Sequence, residues 1–278
     1  LQMDYVENLD IHGINTFETL EKTLKPGGCM EAVREAIGQK VIGHIGFSCH
    51  APCEVILATI ETGEFESVNL HYYTFFQRNL PAVQRAAELD MGILIISPND
   101  KGGMLYRPPN ALVDLCKPFS PMELNLRWCL SHPEITTLSI GCTYASEWDE
   151  NLKVADRDGP LTGEEEEAYR RLTDRYSVLG NTYCSVCGDC LPCPEDINIP
   201  DALRLRNLAK AFDMTEYGVY RYKMFENAGD WFPGKRADRC TKCGDCLPRC
   251  PLNLDIPSLL FETHDLLWEG KDGKRLWE

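Results

Sequence analysis

The chain lacks a basic balance. Lys and Arg number 28 against 43 Asp and Glu, a formal charge of −15, and a nucleic-acid groove needs the opposite, a basic face. Long apolar runs are also missing. Stretches such as Met91–Ile96 are far too short to span a bilayer, so no membrane insertion is expected. No charged-then-apolar leader opens the chain, and the expected location is a reducing cytoplasm, where disulfides are rare. Position 1 is Leu, not Met, which suggests a fragment or a processed product. Cysteine is not scarce, with 14 among 278 residues. That length suffices for one large or two ordinary domains with a real core.

Eight of the cysteines fall in a stretch that occurs twice. Residues 184–200 read CSVCGDCLPCPEDINIP and residues 240–257 read CTKCGDCLPRCPLNLDIP, about 56 residues apart, an internal repeat. The second copy (Cys240, Cys243, Cys246, Cys250, Pro251) fits the iron–sulfur run C-x2-C-x2-C-x3-C-P residue for residue. The first (Cys184, Cys187, Cys190, Cys193, Pro194) is one residue short before its last cysteine. Structural zinc usually takes C-x2-C pairs set further apart, so four cysteines within ten or eleven residues suit a cluster better. Two [4Fe–4S] clusters are the expectation; one cluster with a degenerate site, or zinc, are the alternatives. The other cysteines (Cys29, Cys49, Cys53, Cys116, Cys129, Cys142) show no ligand spacing and read as small core residues. Only Cys49 and Cys53, at i and i+4 near a strand end, stand out.

The first 150 residues alternate short apolar runs with amphipathic segments. Strands are predicted at Tyr5–His12, Val41–Ser48, Ser67–Tyr73, Gly92–Ser97 and Thr136–Ile140, with helices over Cys29–Gly38, Pro52–Thr62, Pro81–Leu89 and from the Ser120–Glu123 capping box through Leu130. Gly92–Ser97 (GILIIS) reads as a strand buried on both faces. Strands recurring every ~25–40 residues with helices between them indicate βαβ units and a parallel sheet.

Residues 1–152 resemble the second half of an aldo-keto reductase (β/α)8 barrel. The likeness rests on MDYVENLDIHGIN, VIGHIGFSCHAP, VNLHYY, GILIISPNDKGGML and LRWCLSHPEITTLSIGCTYASEWDEN, in the order of barrel strands four to eight. Together with the cysteine domain, this resembles the ferredoxin-fused branch of the family, and implies an oxidoreductase that uses a nicotinamide cofactor, NADH or NADPH, besides its clusters. The resemblance makes His12 the residue that hydrogen-bonds a substrate carbonyl; a histidine simply packed at a strand end is the plain alternative. Ser48 and Asn69 match positions that bind the carboxamide, Ser97 the turn approaching the pyrophosphate, and Gly141–Thr143 with Asn151 the adenosine end. Cys49 stands where Asn is usual. Glu147 replaces an Arg that pairs with a 2′-phosphate, which weighs against NADPH. The proton-donating Tyr with its Asp and Lys belongs to the first three strand–loop units, so the chain alone is expected not to reduce carbonyls.

After Asn151 the composition changes. Asp156–Pro160 reads as a linker and Thr162–Glu165 as a capping box, opening a helix with Tyr169, Leu172, Tyr176 and Leu179 on one face. Pro200 opens a helix with a stripe of Leu205, Leu208, Ala209 and Phe212. Tyr217–Asn227 continues helically, and Pro257 opens a helix with Leu260, His264 and Leu267 aligned. Residues 153–278 thus resemble an α-helical ferredoxin-like domain. In two-cluster ferredoxins the fourth Cys of each run serves the other cluster; carried over, Cys184, Cys187, Cys190 and Cys250 form one set and Cys240, Cys243, Cys246 and Cys193 the other. The expected partners are a redox protein or small electron carrier and an unidentified small-molecule substrate. A non-enzymatic electron-transfer module, with the barrel part as docking scaffold, is the competing expectation.

Overall fold

The structure, a computed structural model, describes residues 3–99, 104–142 and 144–270. Packing divides the chain into two compact units, Leu1–Lys101 with Asn125–Pro160, and Gly102–Leu124 with Leu161–Glu278.

The first unit is built on a parallel sheet of five strands in sequential order: β1 (Val6–His12), β2 (Ile42–Ser48), β3 (Ser67–Leu70), β4 (Gly92–Ile96) and β5 (Thr137–Ser139). Helices α1 (Phe17–Leu24) and α2 (Cys29–Gly38) follow β1, α3 (Cys53–Ile60) follows β2, and α4 (Leu80–Glu88) follows β3. Between β4 and β5 the chain forms α5 (Asn110–Cys116) and α6 (Pro121–Leu130); α7 (Ser146–Leu152) comes after β5. Ser120 Oγ accepts the Glu123 N–H at the start of α6, as the sequence signature predicts.

Side chains alternate across strands. Ile45, Phe47, Val68, Leu70, Ile93 and Ile95 are buried, together with Val55, Ile56 and Ile60 of α3 and Ala82, Val83 and Ala86 of α4. The paired residues His12, Ser48, Asn69, Leu94 and Thr137 form a cross-strand row on the opposite face. That face is largely polar, and β4 is half-buried rather than enclosed on both faces as its apolar run predicts. At Gly46 an added Cβ would collide with Ser67 Oγ and Asp10 Oδ1, so glycine there leaves room for both side chains over β2. β3 ends at Leu70, short of the predicted Tyr73, because Tyr73 exchanges both backbone hydrogen bonds with Phe76 in a tight turn instead.

The second unit is helical: α5, from the segment between β4 and β5, with α8 (Gly163–Arg175), α9 (Ile199–Phe212), α10 (Thr215–Tyr222) and α11 (Ile256–Leu267). The capping box at Thr162 and Glu165 forms, with both reciprocal bonds. α8 stops at Arg175, before the predicted Leu179; a 3-10 segment over Tyr176–Thr182 follows, broken at Gly180 (φ 52°, ψ −132°). α9 is buried on nearly every side, Lys210 alone being exposed. Its arginines are neutralised locally: Arg204 Nε lies 3.4 Å from Asp201 Oδ1 and Arg206 Nε 2.7 Å from Glu262 Oε2. The predicted apolar stripe therefore understates this helix, since paired charges let its polar side be buried too.

Candidate functional site

The two cysteine runs of the second unit fold alike. Val186 and Lys242 take φ 60° and 59°, Gly188 and Gly244 φ 91° and 85°, and Asp196 and Asn253 φ 57° and 50°. These are equivalent positions of the repeat. A β-branched residue such as Val186 rarely adopts the left-handed region. Alternation of this kind turns successive backbone N–H groups inward as an anion-binding nest, and Val186 N already lies 3.4 Å from Cys184 Sγ.

The runs also interlock. Cys184, Cys187, Cys190 and Cys250 line one cavity, walled by Val186, Leu203, Leu254 and Ile256. Cys193, Cys240, Cys243 and Cys246 line a second, with Ile199, Arg249, Pro257 and Leu260. Each cavity thus takes three cysteines from one run and the last from the other. The first residues of α9 and α11 reach both cavities, bringing helix N-termini toward groups that carry negative charge when ligating. Asn198 and Asp255 cap these helices through Asp201 N and Ser258 N. Burial pushes the free Cys184 thiol up to about 11, with Arg206 pulling weakly the other way, and burial pushes Cys190 up to about 12.

Neighbouring elements hold the loops in place. Asn207 Nδ2 donates to Cys184 O (2.7 Å), and Arg206 donates to Thr182 O and Oγ1 (3.1 and 3.0 Å). Before the second run, Tyr222 Oη accepts Ala237 N–H (2.9 Å) and pairs with His264 Nδ1 (3.0 Å), while Glu226 binds Arg236 and Arg239.

The donor set fits an iron–sulfur group better than a single ion. Among the described residues no three Cys, His, Asp or Glu side chains converge as ligands of one metal ion. A zinc tetrahedron holds its sulfurs about 3.8 Å apart, given a metal–sulfur bond of about 2.3 Å. Here the thiols surround a hollow instead, as a polynuclear cluster needs.

In the first unit, His12, Ser48, Asn69 and Ser97 stand at or just beyond the C-terminal strand ends, while Asn151 lies further on, in α7. His12 is exposed at the end of β1, and its Nδ1 lies 2.9 Å from Ser48 Oγ. Asn69 Oδ1 is buried without a hydrogen-bond partner, an acceptor suited to a carboxamide N–H. Its side chain also bonds Asp10, whose carboxyl is nonetheless raised above the usual range, burial outweighing that bond. Ser97 follows β4 with φ 50°. Asn151 in α7 is committed internally, donating to Glu147 O (2.8 Å) and Cys142 Sγ (3.3 Å). Thr143 and residues 100–103 lie outside the described residues.

A pair missed from sequence lies one strand period further on. His71 Nδ1 is 3.1 Å from Ile96 O, and His71 Nε2 is 2.7 Å from His50 Nδ1. A carbonyl only accepts, so His71 donates from Nδ1, and in its neutral form receives the His50 Nδ1 proton at Nε2. The signal was the spacing itself: His50 is two residues past Ser48, and His71 two past Asn69. Cys49 is a core thiol, pushed up to about 12 by burial, whereas Cys53, at the start of α3, is only half-buried and does not belong to the core.

Residues 183–254 match the family profile of a 4Fe-4S dicluster domain. Solved structures similar to the chain include an aldo-keto reductase of Bacillus halodurans. Its holo form shares 22% identity at a TM-score of 0.51, over 62% of this chain and 60% of that one. Its apo form shares 22% identity at 0.50, over 61% and 62%. The chain therefore spans about 60% of the length of these solved relatives, and it shares their α/β fold. No curated protein matches it.

Proposed function

We propose that this chain is part of an iron–sulfur oxidoreductase in which an aldo-keto reductase-like unit handles nicotinamide-linked redox chemistry and the cysteine unit relays single electrons. The carrying observation is the interlocked lining of the two cavities, three cysteines of one run with the last of the other. Cys184, Cys187, Cys190 and Cys250 would hold one [4Fe–4S] cluster and Cys193, Cys240, Cys243 and Cys246 a second, each storing one electron at a time. The cysteines ligate as thiolates, the nests supply N–H donors, and the apolar walls keep water away.

In the first unit Asn69 Oδ1 would receive the carboxamide N–H of NADH or NADPH, and His12, oriented by Ser48, would donate to a substrate carbonyl. The five strands correspond in this reading to the later part of a (β/α)8 barrel. The tyrosine proton donor would come from strand–loop units outside this chain, and a reducing cytoplasm is the fitting location. No helix among the described residues is long and apolar enough to cross a membrane.

A second reading has support in the exposure of His12 on edge strand β1: a site open to water favours a scaffold role, with only the cysteine unit active. A full-length gene product separates the two. The first reading predicts nicotinamide binding and carbonyl reduction that falls by about 100-fold on His12→Ala, within the usual range for a lost proton-handling group. Reversible one-electron reduction without nicotinamide binding would contradict it.

A further inference from the structure

Of the six histidines only His264 lies in the second unit, so the unit with the cysteine runs carries a single imidazole. It stands on α11 with its side chain 19% exposed, open enough to exchange a proton with water yet buried enough for its charge to be felt nearby. Its Nδ1 lies 3.0 Å from Tyr222 Oη, and its ring stacks on Trp268 with 25° between the planes.

A chain of hydrogen bonds runs from this ring to the second cysteine run. Tyr222 Oη accepts the Ala237 N–H (2.9 Å), and Ala237 O accepts the Cys240 N–H (3.2 Å). Tyr222 is fully buried and burial pushes its hydroxyl up, so it stays protonated and links the two ends without titrating. The first run is held differently. There Asn207 donates to Cys184 O and Arg206 to Thr182 O, groups whose charge does not change near neutral pH. Histidine is the side chain that does.

Ionisable groups face His264 from each element packed on α11. Asp238, just before the second run, has Oδ1 3.9 Å from Nδ1, and it also meets Arg236 Nε at 3.9 Å. Arg236 lies over the far ring, Trp268, at 4.3 Å and is held by Glu226. Glu262 is engaged by Arg206 and Lys210 of α9, and Glu269 by Lys223 at the end of α10. Asp238 is thus the near carboxylate, and it favours the imidazolium.

We propose that His264 is a proton acceptor coupled to the second cysteine run: one-electron reduction of the cluster held by Cys193, Cys240, Cys243 and Cys246 draws a proton onto His264. The inference rests on the cluster reading above and adds that this site, unlike the first, moves a proton with its electron. An added electron makes the cluster more negative, and a positive imidazole joined to Cys240 through two hydrogen-bonded groups offsets that charge. The step balances: dithionite gives up the electron, the cluster gains it, and one proton passes from water to the imidazole, which then donates from both ring nitrogens.

The test uses the full chain, anaerobically loaded with its clusters, in potentiometric titrations from about pH 6 to 9, spanning the histidine range, followed by electron paramagnetic resonance. The midpoint of the signal altered by Cys240→Ser is expected to fall as pH rises, by up to about 59 mV per unit, the equivalent of a tenfold change for one electron. The other signal keeps a level midpoint. His264→Gln, which can still accept from Tyr222 Oη but takes no proton, flattens the first and leaves the second unshifted. Reduced-minus-oxidised infrared spectra of wild-type protein with ring-labelled histidine show imidazolium bands, and decide the matter if His264→Gln loses its clusters. A level midpoint in wild type, a slope that survives in His264→Gln, or the absence of labelled bands would overturn the proposal. A wild-type protein without labile sulfide would instead refute the cluster reading beneath it.

Discussion

Asp10 shows how a single side chain records what surrounds it. It stands in the row behind His12, opposite Gly46 and bonded to Asn69, and partial desolvation of this still water-exposed carboxyl raises it despite that bond. The folded state therefore holds this proton more tightly than the unfolded chain does. Stability falls as pH rises from the unfolded value through the raised folded one, and the penalty persists at neutral pH. Asp10→Asn is expected to raise the urea midpoint at pH 7 slightly, the effect being reduced by the exposure of the carboxyl, and to leave it unchanged near pH 3. Two glycines differ instructively. Gly188 (φ 91°) faces open space, so Gly188→Ala should cost about 1–2 kcal/mol for conformation alone. At Gly234 (φ 96°) an added Cβ would also lie 2.6 Å from Asn198 Cβ, at the cap of α9. Gly234→Ala should cost clearly more, measured by denaturant unfolding. Neither conformation was legible in the sequence, since a cysteine comb fixes ligand spacing and not backbone sign.

Elements were more legible than residues where periodicity and caps agree. The five strands appear within a few residues of prediction because β-branched runs and turn residues mark them, and α2 matches to the residue. α1 and α5 had no strong signature. The Tyr222–His264 bond and the Arg206–Glu262 pair join residues more than 40 positions apart, beyond any local pattern. Packing of α9 against α11 places the N-termini of both helices at both cavities, and this makes the crossed arrangement testable. Cys250→Ser is expected to alter the same paramagnetic signal as Cys184→Ser and to spare the one altered by Cys240→Ser. If Cys250→Ser instead follows Cys240→Ser, each run serves its own cavity and the crossing is wrong.

At the scale of the whole molecule, the repeat alone points to the dicluster unit, because eight rare residues in two like combs admit few other chemistries. The first unit was legible as a parallel α/β fold, but its His50–His71 pair became apparent only when the strands were set side by side. The most direct test of the account is iron and acid-labile sulfide per chain in anaerobically purified protein, read with electron paramagnetic resonance after reduction. Two four-iron clusters predict on the order of eight of each per chain with two interacting signals. Zinc without labile sulfide would contradict the account, and about four of each would leave a single competent site.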